Sequence, residues 1–311
     1  MGYTLGGRSG HQLDASKPLA LKELVQDIYP NMSETQIGHY LYRLQQTPIQ
    51  AASELVRLKA ELDLLRKTLQ DWEEVNAWSY PSRGQRTLVP VQTKRAMSRA
   101  LIRAWRRLST PVSLEGATGY ELDLNGWPVD ALPPLQADFR HILSLHLSNT
   151  TSTVPASFLE KFTELRHLSL NTTQLTELPA SIATMPELTH LNLRNNQIVL
   201  TPESANILSA KTKLKTLVLT GNPLGRNFSV QHMPQLQHLM LRYTGLSEWP
   251  TGIGILNDLQ TLDLRNNSIS FIPSAILTES MASINRVTSL HDNPLTPDST
   301  RRLGLYRDSQ Q

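Results

Sequence analysis

One spacing constrains this chain more than any other. The pattern Leu-x-x-Leu-x-Leu-x-x-Asn-x-Leu, or a close variant, begins at residues 119, 142, 165, 188, 214, 236, 259 and 285. A unit of this length cannot bury an apolar face alone, so successive units must stack and share one continuous core. In Leu165-Arg166-His167-Leu168-Ser169-Leu170-Asn171, side chains alternate as along a strand. Leu168 and Leu170 then point inward while His167, Ser169 and Asn171 point outward. The ninth column reads Trp127, Thr150, Thr173, Asn196, Asn222, Thr244, Asn267 and Asn293. An amide or hydroxyl there can bond backbone groups that the turn leaves unpaired. Losing such a partner should cost about 1–3 kcal/mol, and losing an inward leucine about 2–5 kcal/mol. The end units are degenerate, with Gly119 at one end and Asn285 and Thr288 at the other, as terminal units of a stack often are.

That period and consensus are those of leucine-rich repeats. The expected fold class is an α+β repeat: an N-terminal α-helical bundle followed by a leucine-rich-repeat solenoid with parallel β-strands on its concave face. The expected organisation is a disordered tail over 1–17, a helical domain or cap over 18–114, about eight repeats over 115–298, and a C-terminal tail over 299–311. An apolar residue followed by proline recurs at Leu132-Pro133, Val154-Pro155, Leu178-Pro179, Trp249-Pro250 and Ile272-Pro273. Proline fixes φ and lacks an N–H, which suits an extended return segment and excludes a long helix. Thr201-Pro202-Glu203 instead carries an N-cap and a first-turn proline, predicting a short helix to about Ala210.

Before the repeats the period changes. Leu21, Leu24, Val25 and Ile28 predict a first helix, and Ser33-x-x-Gln36 is a capping box opening a second with Ile37, Leu41 and Leu44. Pro48 starts a third, whose Leu55, Leu58, Leu62, Leu65, Leu69 and Trp72 form one apolar seam; helix packing within a bundle is favoured over a dimeric coiled coil. Residues 79–92, with Pro81, Gly84 and Pro90, read as a loop. A fourth helix then presents Met97, Leu101, Trp105 and Leu108 inward.

The net charge of +3 is unevenly placed. Between Ser82 and Leu114 stand eight basic residues and no acidic one: Arg83, Arg86, Lys94, Arg95, Arg99, Arg103, Arg106 and Arg107. The 22 basic and 27 acidic residues elsewhere leave −5. The favoured reading is a solvated face whose arginines pair with Glu54, Glu61, Glu73 and Glu74. A basic helix from Lys94 to Arg107 is the candidate if the chain touches a membrane, which composition does not favour. Nucleic acid is disfavoured too, because no stacking aromatics are interleaved with the charge.

Zero cysteines exclude disulfides, thiolate nucleophiles and cysteine-ligated zinc. No run approaches 18 apolar residues, and residues 1–17 lack the apolar core of a secretory signal. No Gly-x-Ser-x-Gly, His-Glu-x-x-His or phosphate loop is present, so no catalytic residue and no cofactor is expected. His167 and His190 fall on adjacent repeats with His146 nearby, but two histidines without a carboxylate at the same height make a poor zinc site, and no metal is expected.

The outward positions therefore carry the functional expectation. In the C-terminal half they mix arginine with soft apolar and aromatic groups, a composition common among binding hot spots. The expected partner-binding residues are His167, His190, Arg194, Val218, Met240, Arg242, Tyr243 and Arg265, acting in a monomer that binds a protein.

The chain also resembles a known family over roughly Pro18 to Tyr306. Leu-Pro repeats preceded by Leu101-Ile102-Arg103-Ala104-Trp105-Arg106-Arg107 and closed by Asp292-Asn293-Pro294-Leu295 are similar to the repeat region of bacterial effectors of the novel E3 ubiquitin ligase family. Thr244-Gly245-Leu246-Ser247-Glu248-Trp249-Pro250 resembles a repeat variant of their pseudomonad-type branch. The resemblance implies a bacterial protein delivered into host cells without a cleaved signal peptide, or else one kept in the cytoplasm. It implies repeats that select a host protein and restrain a helical ligase domain acting through a cysteine. With no cysteine here, no catalytic residue carries over, and the expectation is the recognition part of such an effector. The alternative is a ubiquitin ligase represented by its non-catalytic portion.

Overall fold

A computed structural model describes residues 18–45, 48–76, 78–79, 87–127, 132–148, 154 and 156–311. The expected tail over 1–17, Pro81, Gly84, Arg83 and Arg86 of the loop and basic window, Thr150 of the ninth column and Pro155 lie outside the described residues. The chain divides into two compact units between Lys67 and Thr68.

The first unit holds α1 (Pro18–Ile28), α2 (Glu34–Leu44) and most of α3 (Pro48–Glu74). The capping box forms as its spacing predicts: Gln36 N–H donates to Ser33 Oγ (3.3 Å) and Ser33 N–H to Gln36 Oε1 (2.8 Å). Leu21, Val25 and Ile28 of α1 and Ile37 and Leu41 of α2 are buried, as are all six seam positions of α3. Lys59 joins α3 to α1 through Asp27 at 2.9 Å.

After the last turns of α3, the second unit has a small antiparallel pair, β1 (Trp78–Ser79) and β2 (Thr87–Leu88), at the start of and within the segment expected to be loop. After it runs α4 (Val91–Trp105). Its basic face is less uniform than the sequence suggests. Lys94 is buried and donates to the carbonyls of Trp72 (2.8 Å) and Val75, capping the end of α3. Burial pulls its pKa below the ordinary lysine value, against a smaller upward pull from Glu73. Glu73 pairs with Arg95 at 3.6 Å, whereas Glu54 and Glu61 bond Arg57 on their own helix, three and four residues away.

The repeats build a nine-stranded sheet: β3 (Thr110–Leu114), β4 (Ala117–Asp123), β5 (Ile142–His146), β6 (His167–Ser169), β7 (His190–Asn192), β8 (Thr216–Val218), β9 (His238–Met240), β10 (Thr261–Asp263) and β11 (Thr288–Ser289). From β4 onward every neighbour is parallel and in chain order. The register puts Leu145, Leu168, Leu191, Leu217, Leu239 and Leu262 in one inward column, each at most 2% exposed. Thr288 ends that column opposite Leu262.

Strand β3 is antiparallel to β4 and covers the sheet edge, which would otherwise offer unpaired N–H and C=O groups. This explains the degenerate first repeat. A Cβ on Gly119 would stand 2.5 Å from Leu143 Cγ and 2.6 Å from the His141 carbonyl, so no leucine fits where the hairpin joins the ladder. The hairpin turns through Glu115 (φ 51°) and Gly116 (φ 78°), positive at both central residues as a tight type I′ connection requires.

Between strands lie α5 (Ala156–Leu159), α6 (Pro202–Ser209), α7 (Ala282–Arg286) and short 3-10 turns. Where extended return segments were expected after Leu178-Pro179 and Ile272-Pro273, 3-10 turns begin instead at Ala180 and Ser274. Pro179 (φ −57°) and Pro273 (φ −58°) serve as their N-caps, since proline's fixed φ also suits the residue entering a helical turn. Helix α6 forms from its predicted Thr201 cap, with Ser204 N–H donating to Thr201 Oγ1 at 3.2 Å. Residues expected to be a tail form α8 (Pro297–Ser309), started by the same device, Thr296 Oγ1 accepting from Ser299 N–H at 3.2 Å with Pro297 in the first turn.

The ninth column does more than the sequence implied. Each asparagine amide donates to two carbonyls, one in its own repeat and one in the repeat before. Asn196 reaches Leu193 (2.9 Å) and Leu170 (2.8 Å), Asn222 reaches Leu219 and Leu193 (both 2.9 Å), and Asn267 reaches Leu264 (3.0 Å) and Leu241 (2.8 Å). Its Oδ1 accepts backbone N–H groups from the preceding repeat. Where the column holds threonine, the next asparagine compensates: Asn196 Oδ1 accepts from Thr173 N–H (2.9 Å), and Asn267 Oδ1 from Thr244 N–H (2.9 Å).

Candidate functional site

Because inward positions are filled with leucine, the chemistry available to a partner sits on the outward side of β4 to β11, on the concave side of such a solenoid. The parallel register sets His167 beside His190, Asn192 beside Val218, and Val218 beside Met240. Neighbouring strands lie about 4.8 Å apart, so these side chains form ladders.

His167 and His190 touch, with ring centroids 4.0 Å apart and planes tilted by 54°. Burial pushes the His167 pKa down from 6.5 to about 4, helped by the neighbouring His190, while Glu115 pulls it up. The His190 pKa is lowered for the same first reason, burial, and Glu115 again opposes. Both rings are therefore neutral at pH 7. His190 Nδ1 lies 2.9 Å from Thr189 Oγ1, and His238 Nδ1 lies 3.2 Å from Thr261 Oγ1.

Glu115, at the tip of the β3–β4 hairpin, was not among the expected site residues. Its carboxylate bonds Lys215 Nζ at 2.5 Å, a hundred residues away in sequence, at the strand-entry edge beside His167 and His190. Lys215 holds the Glu115 carboxyl below its ordinary pKa, against the upward effect of burial. Among the described residues, no group of three or more His, Asp and Glu side chains is arranged to hold a metal ion.

The strand-exit edge carries the arginines. Arg194 is exposed and forms no ion pair among the described residues. Arg242 donates from Nε to Asn266 Oδ1 (2.8 Å) and from Nη2 to Tyr243 Oη (3.3 Å), and its guanidinium lies 4.8 Å from the Tyr243 ring centroid. Arg265 is different from the free donor its position suggested. It forms a fork to Asp263, at 2.9 Å from Nε to Oδ1 and 2.8 Å from Nη2 to Oδ2. Burial alone would raise the Asp263 carboxyl, but the hydrogen bonds and charge of Arg265 hold it below its ordinary pKa. Asp263 is 4% exposed, so most of the outward surface at β10 belongs to the arginine.

Tyr243 stands 55% exposed with φ at 55°, the left-handed region that bulky residues seldom enter. The eighth repeat position explains it: Gly126, Thr172, Asn195, Gly221, Tyr243, Asn266 and Asp292 all have positive φ, because the chain leaves the strands before them by the same left-handed step. Glycine, asparagine and aspartate dominate that column, a signal for left-handed geometry present in the sequence. The structure thus gathers Arg194, Val218, Met240, Arg242 and Tyr243 on one stretch of β7 to β9 and its exit loops. It places His167 and His190 toward the hairpin.

A cavity of about 400 Å³ lies at the C-terminal end, lined by Trp249, Leu277, Leu290, Leu303, Tyr306 and Arg307 among others. No described helix is long and apolar enough to cross a membrane.

Comparison with known proteins agrees on the repeats. Residues 258–278 match the family described as Leucine Rich Repeat. No curated protein matches the chain. Among solved structures, the chain is similar to an internalin, InlF, from Listeria monocytogenes (21% identity, 51% of this chain and 44% of that chain, TM-score 0.42). It is also similar to the functional domain of InlJ from Listeria monocytogenes (20% identity, 57% and 35%, TM-score 0.46). A third is the ectodomain of the plant receptor kinase GASSHO1/SCHENGEN3 from Arabidopsis thaliana (26% identity, 59% and 23%, TM-score 0.45), solved in complex with CASPARIAN STRIP INTEGRITY FACTOR 2. The chain spans less than half the length of each of these structures. With its in-register parallel ladder, inward leucine column and asparagine staples, the repeat region is a leucine-rich-repeat solenoid preceded by α-helices.

Proposed function

We propose that this chain is a protein-recognition module that binds its partner on the outward face of β7 to β10. The observation that carries the reading is the prearranged Arg242–Tyr243 pair: an exposed aromatic held in a left-handed conformation, its hydroxyl and ring both engaged by an arginine that Asn266 fixes in turn. Tyrosine and arginine are the residue types that most often dominate interfaces. Val218 and Met240, adjacent across β8 and β9, supply a soft apolar floor beside them.

The resemblance to bacterial ubiquitin-ligase effectors fits this reading, with the bound protein a host substrate or a neighbouring ligase domain. In that setting the repeats select the partner, and helices α1 to α4 precede them in the chain. Arg242→Ala combined with Tyr243→Ala should lower affinity for a bound protein by 100-fold or more, about 2.7 kcal/mol or above, consistent with paired hot spots. The same loss after Glu203→Ala, on the first turn of α6 and off the strand face, would mean the face has been misassigned.

A further inference from the structure

We infer that the segment this face accepts is an acidic, extended polypeptide. Its carboxylates meet Arg194 and Arg242 along the strand-exit edge, and an apolar or aromatic side chain lies on Val218, Met240 and Tyr243. The inference rests on the recognition reading above and adds the chemistry of the partner.

Charge is the first argument. On the outward columns from β7 to β10 stand three guanidiniums, Arg194, Arg242 and Arg265, and one carboxylate, Asp263, which is buried and spent on Arg265. Arg242 bonds only the neutral groups of Asn266 and Tyr243, so its orientation is fixed while its charge is not cancelled at contact distance. Elsewhere in the repeats cations are paired where acids are within reach: Lys213 with Glu187 at 2.6 Å, Arg166 with Glu187 at 3.8 Å, Lys215 with Glu115 at 2.5 Å. Asp263 also attracts Arg242 at longer range, yet three guanidiniums against one buried carboxylate leave a net positive face, otherwise dressed with neutral side chains, that favours an anionic partner and would repel a basic one.

The second argument is that the chain already lays one of its own carboxylates on this sheet. Glu115 reaches in from the β3–β4 hairpin to Lys215 at the strand-entry edge, leaving the exit edge, with Arg194 and Arg242, open. The third is shape. Val218 on β8 stands between the strand of Arg194 and the strand that carries Met240, Arg242 and Tyr243, so a segment crossing the strands meets a cation, then an apolar floor, then an apolar side chain flanked by cation and tyrosine. A carboxylate at each end and an apolar residue between them would satisfy all four, and guanidinium forks suit carboxylates in two-point contact.

The test is selection from a random peptide display library on the full chain, repeated on Arg194→Glu/Arg242→Glu, the milder Arg194→Gln/Arg242→Gln, Tyr243→Ala and Arg226→Glu. Arg226 is exposed and off the ladder, so its reversal changes the charge in the same sense, by half as much, away from the proposed contact. Enriched peptides should carry aspartate or glutamate flanking an aromatic or aliphatic residue. Their affinity should fall at least tenfold with the double reversal, less with the double glutamine, and stay within twofold with Arg226→Glu. It should also weaken as salt rises. Peptides that require Tyr243 but are neutral or basic would overturn the acidic assignment and leave the recognition face standing. Peptides indifferent to Tyr243→Ala and to both arginine variants would overturn both. Oligothymidylate binding as tightly as the selected peptides, with the same dependence on Arg194 and Arg242, would replace a polypeptide partner with single-stranded nucleic acid.

Discussion

Replacing Asn196 with alanine removes a side chain whose bonds can be followed one by one. The amide donates to the carbonyls of Leu170 and Leu193, and Oδ1 accepts from Thr173 N–H (2.9 Å) and Leu175 N–H (3.2 Å) and from Thr173 Oγ1 (3.2 Å). Neither carbonyl is stranded by the change: Leu170 keeps the Thr173 hydroxyl at 2.9 Å, and Leu193 keeps Asn222 Nδ2 at 2.9 Å. The two N–H groups do lose their acceptor. Thr173 is 0% exposed, so its N–H meets no water and should cost about 1–3 kcal/mol. Leu175 is half-buried and should add about 1 kcal/mol, for a total of about 2–4 kcal/mol. Asn293, the last rung, is more exposed, and Asn293→Ala should cost about 1 kcal/mol because water can replace it. Guanidinium denaturation of both variants, with slopes compared to detect piecemeal unfolding of the stack, measures the difference. Equal losses at the two positions, or a loss below about 1 kcal/mol for Asn196→Ala, would refute the view that these amides staple one repeat to the next.

Other perturbations test other parts of the account. Leu191→Ala, at a fully buried position in the middle of the inward column, should destabilise by about 2–5 kcal/mol in the same assay. Gly119→Ala places a methyl against the His141 carbonyl and Leu143, and should cost about 1–3 kcal/mol while speeding hydrogen exchange of the β3–β4 amides. His167 has a folded pKa of about 4 against 6.5 for the free side chain, so between those values the unfolded chain binds the proton first. Its stabilising contribution is complete above pH 6.5 and declines as pH falls toward 4, by about 1–2 kcal/mol once solvent screening of the half-exposed ring is allowed for. His167→Gln should flatten the stability profile across that window; an unchanged slope would show that another group titrates there.

How much could be read from residues alone varies with the range of the forces involved. The inward leucines, the four helices before the repeats, the Ser33 box and the Thr201 helix follow from local spacing and capping and stand where their residues indicate, except that the fourth helix stops at Trp105 and leaves Leu108, expected on its inner face, half-buried in the turn beyond. Helix α8 carries the same Thr-Pro opening as α6 and was legible on that ground, though its position after the last repeat suggested a tail. The β3–β4 hairpin was hidden because its strands pair across the sheet edge and Gly119 breaks the leucine column. Glu115 meets Lys215 only once the first five repeats have stacked, and no local pattern announces such a contact. The Asp263–Arg265 fork could have been foreseen, since residues two apart on a strand share a face. Tyr243 stood out for its residue type, but its left-handed backbone emerges only when the eighth column is read together.

The central claim, that recognition takes place on the outward strand face, is most directly tested by placing a photo-crosslinking amino acid singly at Val218, at Met240 and at Glu203, and exposing each protein to a binding partner. Crosslinks from Val218 and Met240, absent from Glu203 and suppressed by the double Arg194→Glu/Arg242→Glu change, are the predicted result. Crosslinks confined to Glu203, on α6 away from the ladder, would contradict it.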